Sequence, residues 1–218
     1  MSSADRKPTM TNHSARRVGV LDYGSGNLRS ACHALAAAGA EVVLSASPAE
    51  LLAIGRLVVP GVGAYAACMA GLQAVGGEEL IRHFAAAELP VLGICVGHQI
   101  LFSDGDEHGQ STPGVGLYPG SVQQLDARRL PHMGWNTIQA PADSQLFSGL
   151  HDERFYFVHS YAARPSATMP AAAKITTAMH EADRFIAAVE YGSVSSTQFH
   201  PEKSGSGGAQ LLRNWLIG

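Results

Sequence analysis

The sequence predicts an α/β fold, in which a mostly parallel central sheet with flanking helices adjoins a smaller antiparallel or mixed sheet region. Two observations carry this. Short apolar runs alternate with helical periodicities through the first half, as in β-α-β units that build one sheet. From Gly114 to Gln198 the pattern changes to shorter strands separated by turns, which suits antiparallel or mixed pairing.

The elements follow in order. Val18 to Leu21 is a short apolar run suited to a buried strand, and a loop runs from Asp22 to Gly26. Leu28, Ala31, Cys32 and Leu35 recur at helical spacing, with Gly39 closing that helix. Glu41 to Leu44 and Leu57 to Val59 are the second and third strands. Tyr65, Cys68, Met69 and Leu72 mark one helix; Leu80, Ile81 and Phe84 mark another. Leu89 to Ile94 is a fourth strand, after which a helix starts near Gly97. In the second half, strands are expected at Phe155 to Val158, Ala172 to Ala178, Phe185 to Glu190 and Ser195 to Phe199. Ser204 to Gly208 is expected to be a loop before a final helix bearing Leu211, Leu212, Trp215 and Leu216 on one side.

Composition narrows the class. A chain of 218 residues with 46% apolar and 15% charged residues suits one domain with a substantial core. Residues 1–17 are polar and read as a loose extension, leaving a fold over residues 18–218. The net charge of −3, without a basic block, offers no nucleic-acid surface. No apolar run approaches the roughly 20 residues that span a bilayer. Three cysteines without a C-x-x-C pair suggest neither a zinc site nor a disulfide framework, and a reducing cytoplasm is the expected location. The scattered histidines include no H-E-x-x-H, so no metal is expected. Asp22 to Arg29 approaches a dinucleotide fingerprint, but Arg29 stands in place of its third glycine. No cofactor is expected.

The chemistry concentrates at two places. Gly93-Ile94-Cys95-Val96-Gly97 lies between an apolar strand and a helix, the context of a nucleophile elbow, where flanking glycines permit a tight turn. A thiol at a helix N-terminus also feels the positive end of the helix dipole. The alternative is a small buried cysteine in a glycine-rich turn, which is the expectation for Cys32 and Cys68 on their helix faces. Phe199-His200-Pro201-Glu202 supplies a base and a carboxylate to orient it, two residues apart on one side of extended backbone. In isolation it is equally a surface turn. Pro60 to Ala64 follows the third strand at the edge where ligands bind in parallel sheets. The amides of Val62, Gly63 and Val96 there suit an oxyanion hole, although a plain tight turn has the same composition.

Gly93 to Gln99 (GICVGHQ) resembles the nucleophile motif of class I, triad-type glutamine amidotransferases, and Phe199 to Glu202 resembles their His-Pro-Glu motif. Within that class, four segments resemble the glutaminase subunits of imidazole glycerol phosphate synthase: Tyr23 to Ser30 (YGSGNLRS), Pro60 to Tyr65 (PGVGAY), Pro131 to Asn136 (PHMGWN) and Tyr156 to Tyr161 (YFVHSY). Lys203 and Ser204 extend the last motif to QFHPEKS.

The resemblance implies that Cys95 attacks the side-chain amide of glutamine, that His200 moves protons and that Glu202 holds the imidazole. It places Gln99, Glu107 and the backbone of His159, Ser160 and Tyr161 around the amino-acid end of glutamine; Glu107 is otherwise a solvated loop acid. It implies a heterodimer with a (β/α)₈-barrel cyclase subunit that receives the ammonia in histidine biosynthesis. Tyr23, Asn27, Pro131, Met133, Gly134, Trp135 and Asn136 are then candidates to face or signal to that partner, with core packing as the competing role for Trp135. It also implies low turnover until the partner binds its ligand, with the Val62 amide reorienting. His98 departs from the methionine of many relatives; it flanks the nucleophile motif without an expected triad role, at a position from which it could perturb local charge. A glutaminase of another synthase, a non-catalytic subunit of the same fold and a partner-free cysteine hydrolase remain alternatives.

Overall fold

The computed structural model describes residues 16–218. Strand β1 (Arg16–Leu21) begins two residues before the apolar run, with Arg16 and Arg17 paired to Ala40 and Glu41 of β2 (Ala40–Ser45). Two residues of the expected N-terminal extension therefore belong to the sheet, and residues 1–15 of it lie outside the described residues. Between these strands α1 (Leu28–Ala37) buries Ala31 and Leu35. Next comes α2 (Pro48–Leu52), started by the Ser47 hydroxyl accepting the Glu50 amide and by Pro48 in the first turn. Five residues are too few for a periodicity, so this helix was invisible in the sequence.

β3 (Leu57–Gly61), α3 (Tyr65–Ala74), α4 (Gly77–Ala86), β4 (Val91–Cys95) and the one-turn α5 (Val96–Gln99) complete the first half. β5 (Phe102–Glu107), β6 (Gln110–Pro113), β7 (Tyr118–Gln124), β8 (His132–Thr137), β9 (Arg154–His159), β10 (Tyr161–Ala163), β11 (Lys174–His180), β12 (Asp183–Tyr191) and β13 (Val194–Thr197) follow. The chain then makes a 3-10 turn over Pro201–Lys203 and ends in α6 (Gly205–Ile217).

The main sheet has the order β11-β12-β13-β4-β3-β1-β2. Its strands from β2 to β13 run parallel, and β12 and β11 continue it antiparallel. Three strands of the second half thus join the main sheet, while β5, β6, β7 and β10 form a four-stranded sheet and β8 pairs with β9 as a ribbon. β3 and β4 are buried at every position, as expected for parallel strands covered on both faces. β13 lies beside β4 in parallel register. The chains leaving β3, β4 and β13 all emerge at the same carboxyl edge.

α6 begins at Gly205, where the sequence suggested a loop through Gly208. The glycines there allow close packing: a Cβ on Gly208 would lie 2.0 Å from the carbonyl oxygen of Pro201. Leu211, Leu212, Trp215 and Leu216 are buried as expected. Arg56 bonds the carbonyl of Trp215 at 3.1 Å with its guanidinium over the indole, and Arg16 bonds the carbonyl of Leu216. Two cations therefore serve the helix C-terminus, where unsatisfied carbonyls gather. Among the described residues no helix is long and apolar enough to cross a membrane.

Candidate active site

Cys95 is the last residue of β4 and caps α5, with φ 57° and ψ −112°. A non-glycine residue rarely adopts this backbone, and it persists only where the surroundings enforce it. Gly97 shows the enforcement. A Cβ there would sit 1.8 Å from the carbonyl oxygen of Val59, so only glycine lets α5 press onto β3. The result is a sharp strand-to-helix turn that presents the thiol at the sheet edge, with the first amides of a helix beside it.

His200 leaves the neighbouring β13 through Gln198 and Phe199. Its amide bonds the carbonyl of Tyr156 at 3.0 Å, and its own carbonyl accepts the Ser204 hydroxyl at 2.6 Å. The same hydroxyl accepts the Tyr156 amide at 2.9 Å, so Ser204 clamps the His-Pro-Glu turn to β9. The His200 Nδ1 lies 2.7 Å from Glu202 Oε1, with both side chains buried. Burial alone would lower the pKa of His200. Hydrogen bonds and charge from Cys95 and Glu202 outweigh it and raise the imidazole to about 9. The ring therefore binds a proton strongly in contact with Cys95, oriented by a carboxylate on its far nitrogen.

A cleft of about 240 Å³ opens over Cys95. It is lined by every residue singled out in the sequence as catalytic, oxyanion-binding or substrate-binding except Glu202, which stands behind His200. Lys203 stands at its margin. Glu107 Oε2 accepts the Tyr65 amide at 2.9 Å, so the acid caps α3 and is fixed, not merely solvated. Gln99 donates through Nε2 to the Tyr161 carbonyl at 2.8 Å and to Gln198 Oε1 at 3.0 Å. Both its donor hydrogens are spent, so Gln99 offers the cleft an acceptor oxygen. A larger cavity of about 370 Å³ lies at the opposite strand ends, near Pro90, Gly192 and Trp215. Of its two glutamates, Glu88 and Glu190, the second is already engaged by Ser144 and by the amides of Gln145 and Leu146, and neither a cysteine nor a histidine lines the cavity.

Three amides were expected to form an oxyanion hole. Gly63 and Val96 line the cleft with Val62, but the Val62 N–H donates to Ser25 Oγ at 3.1 Å. The Ser25 hydroxyl in turn donates to the Val62 carbonyl at 2.7 Å and lies 3.1 Å from Cys68 Sγ. Cys68, expected to be simple packing, is the floor of this latch.

Other expectations need correction. Tyr23 is buried under Gly61 and cannot face a partner. Asn136 lies on the inner face of β8, bonding the carbonyl of Met179 at 2.8 Å and His132 Nε2 at 3.2 Å. Trp135 is not core packing: it is 48% exposed on the outer face of β8, beside Met133 at 66%. Asn27 and Pro131 are exposed as expected. His98 is fully buried, bonded through Nδ1 to Ser196 Oγ at 2.8 Å. Burial lowers it to about 3, so it is neutral and adds no charge beside Cys95.

Two residues were missed. Gln198 is buried between Gln99 and Cys95, with Nε2 4.0 Å from Sγ. Its signal was the spacing, two residues before His200 and hence on the same strand side. His132 lies opposite His159 in the β8–β9 ladder and bonds it at 2.9 Å.

Comparison with known proteins shows the family and the fold. The family model described as Glutamine amidotransferase class-I matches residues 19–218. The "Imidazole glycerol phosphate synthase subunit HisH" of Nocardia farcinica is 60% identical, covering 92% of this chain and 97% of that protein. The protein of the same name from Corynebacterium diphtheriae is 57% identical, covering 92% and 98%. In fold, the chain is similar to a crystal structure titled glutamine amidotransferase, with a TM-score of 0.72 at 21% identity over 92% of this chain and 98% of that one. It is equally similar to PurLQS from Thermotoga maritima, with a TM-score of 0.72 at 19% identity over 93% and 98%. The chain belongs to the class I glutamine amidotransferases, and within them to the family of the imidazole glycerol phosphate synthase subunit HisH.

Proposed function

We propose that this chain hydrolyses glutamine at Cys95 and delivers the ammonia to a cyclase subunit of imidazole glycerol phosphate synthase, in histidine biosynthesis. The observation that carries the proposal is the juxtaposition of a strained thiol, an imidazole raised to about 9 and a buried carboxylate at one end of a cleft, with Gln99 and Glu107 in the same cleft.

In the first step Cys95 Sγ forms a bond to the side-chain carbonyl carbon of glutamine, its proton resting on His200, whose imidazole is raised to about 9. The C–N bond then breaks, the nitrogen leaves as ammonia with the proton from His200, and a thioester remains. Water attacks the thioester, His200 takes its proton and returns it to sulfur, and glutamate departs. Glu202 keeps the imidazole in one orientation through both halves. The acceptor oxygen of Gln99 and the carboxylate of Glu107 suit the ammonium of the substrate; the His159-Ser160-Tyr161 backbone flanks it.

The oxyanion needs amide donors at the moment it forms, and each is worth about 3 kcal/mol of barrier. The latch of the Val62 amide on Ser25 Oγ supports a resting state in which one donor is withheld until the partner is loaded. Met133 and Trp135, outward on β8, suit the partner-facing surface, with aromatic and methionine side chains as interfaces prefer.

Glutamate release from glutamine tests the proposal in three mixtures: the chain alone, with a barrel cyclase subunit, and with the cyclase plus its nucleotide ligand. The rate rises at the third mixture, and Ser25→Ala raises it in the first. Negligible turnover in all three overturns the assignment.

A further inference from the structure

His159 lines the cleft and belongs to a group of three histidines whose rings the reaction does not use. His159 ends β9, His132 begins β8 and His180 ends β11. Their rings pack together: His180 stacks on His132 with centroids 4.3 Å apart, and Phe157 and Phe185 close the group.

Hydrogen-bond chemistry fixes the proton on each ring. His159 Nδ1 lies 2.9 Å from the Tyr161 carbonyl, which only accepts, so Nδ1 carries the hydrogen. In a neutral ring Nε2 must then accept, and its partner at 2.9 Å is His132 Nδ1, which must donate. That leaves His132 Nε2 as an acceptor, met at 3.2 Å by the Asn136 amide. His180 Nε2 lies 2.7 Å from the Arg129 carbonyl and donates to it. Burial lowers His159 to about 3 and His132 to about 4, so both stay neutral near pH 7 and every donor has an acceptor.

The chain of bonds does not stop at His159. The Tyr161 carbonyl that His159 holds also accepts Gln99 Nε2, Gln99 donates to Gln198 Oε1, and Gln198 Nε2 points to Cys95 Sγ. A single continuous path of buried polar groups therefore runs from β8, whose outer face carries Met133 and Trp135, to the nucleophile. The histidine bonds hold the position of the Tyr161 carbonyl, and because that carbonyl only accepts, Gln99 must donate to it and to Gln198 Oε1. If the Gln99 amide turned over, Gln198 would turn too and present an oxygen, not an N–H, to sulfur.

We propose that His132 is a positioning residue for glutamine hydrolysis: by donating to His159 it fixes the Tyr161 carbonyl, and through it the amides of Gln99 and Gln198 that face substrate and nucleophile. The proposal rests on the glutaminase assignment above. It assigns the inner face of β8 a task that its outer face alone would not need.

The test uses the chain in complex with its cyclase subunit, the complex being verified by size-exclusion chromatography. His132→Phe keeps a flat ring for stacking and removes the donor. His132→Asn restores an N–H where Nδ1 stands. Glutamine-dependent and ammonia-dependent synthesis are measured with the nucleotide ligand saturating. The expected result is a tenfold or greater loss of kcat/KM for glutamine in His132→Phe, most of it in KM, with ammonia-dependent synthesis unchanged and a return to within a few-fold of the unsubstituted complex in His132→Asn. Equal kcat and KM in His132→Phe, or no rescue by asparagine, overturns the positioning role. An unsubstituted complex that releases no glutamate overturns instead the assignment on which it rests. Nitrogen-15 NMR of the unsubstituted chain gives a reading independent of folding in the variants: hydrogen on Nδ1 of both His132 and His159 at pH 7 is required, and hydrogen on Nε2 of either contradicts the proposal.

Discussion

His200 and His159 line one cleft, are both buried, and titrate in opposite directions. His200 is raised to about 9 and His159 lowered to about 3. Burial pushes both down. The difference lies in what meets the second nitrogen. Glu202 and Cys95 surround His200 with groups that favour its cation, whereas His159 faces a carbonyl and two further imidazoles. One wall of the cleft is built to move protons; the other is built to keep them still. The lesson is that buried histidine has no fixed meaning until its partners are named.

The contrast breaks most severely at Glu202. Glu202→Gln removes the anion while keeping the shape, so burial and the lost orientation act together on His200. Glutamine-dependent kcat/KM is expected to fall by about 10³- to 10⁴-fold, the scale seen when a triad carboxylate becomes an amide. The pH profile checks the cause: the His200 titration moves down from about 9 toward or below 6.5. A profile that keeps its midpoint would separate Glu202 from the raised pKa.

A smaller effect sharpens the other wall. His98, His132 and His159 have folded pKa values of about 3, 4 and 3, below the 6.5 of an unfolded chain. The unfolded state therefore binds more protons in acid, and the stability these rings contribute is full above pH 6.5 and lost as pH falls toward 4 to 3. His200 has the opposite sign: its contribution is full below 6.5 and lost as pH rises through about 9. Urea unfolding midpoints should drop between pH 6.5 and 4, by on the order of a few kcal/mol in unfolding free energy. A midpoint that holds steady to pH 4 would mean that the rings are already charged in the folded state.

Much of this was legible in the residues. The alternation of apolar runs with helical spacing placed β1 to β4 and the helices α1, α3 and α4, and the elbow and His-Pro-Glu segments marked the two chain segments that meet at the cleft. What escaped has physical reasons. The glycines of α6 read as a loop because their close approach to Pro201 is a tertiary fact. Tyr23 and Asn136 read as candidates to face or signal to a partner because one sequence does not say which side of a loop or ribbon faces inward. His132 and Gln198 had only their spacing, and their bonds run to residues 27 and 99 positions away. That β13 lies beside β4 was also beyond local pattern, and this pairing brings His200 to Cys95.

Cys95→Ala in the complex with the cyclase subunit tests the central claim most directly. With the nucleotide ligand saturating, glutamine-dependent synthesis should fall to background while ammonia-dependent synthesis stays at the level of the unsubstituted complex. Residual glutamine-dependent synthesis near the unsubstituted rate would contradict the account, because the nucleophile would then lie elsewhere.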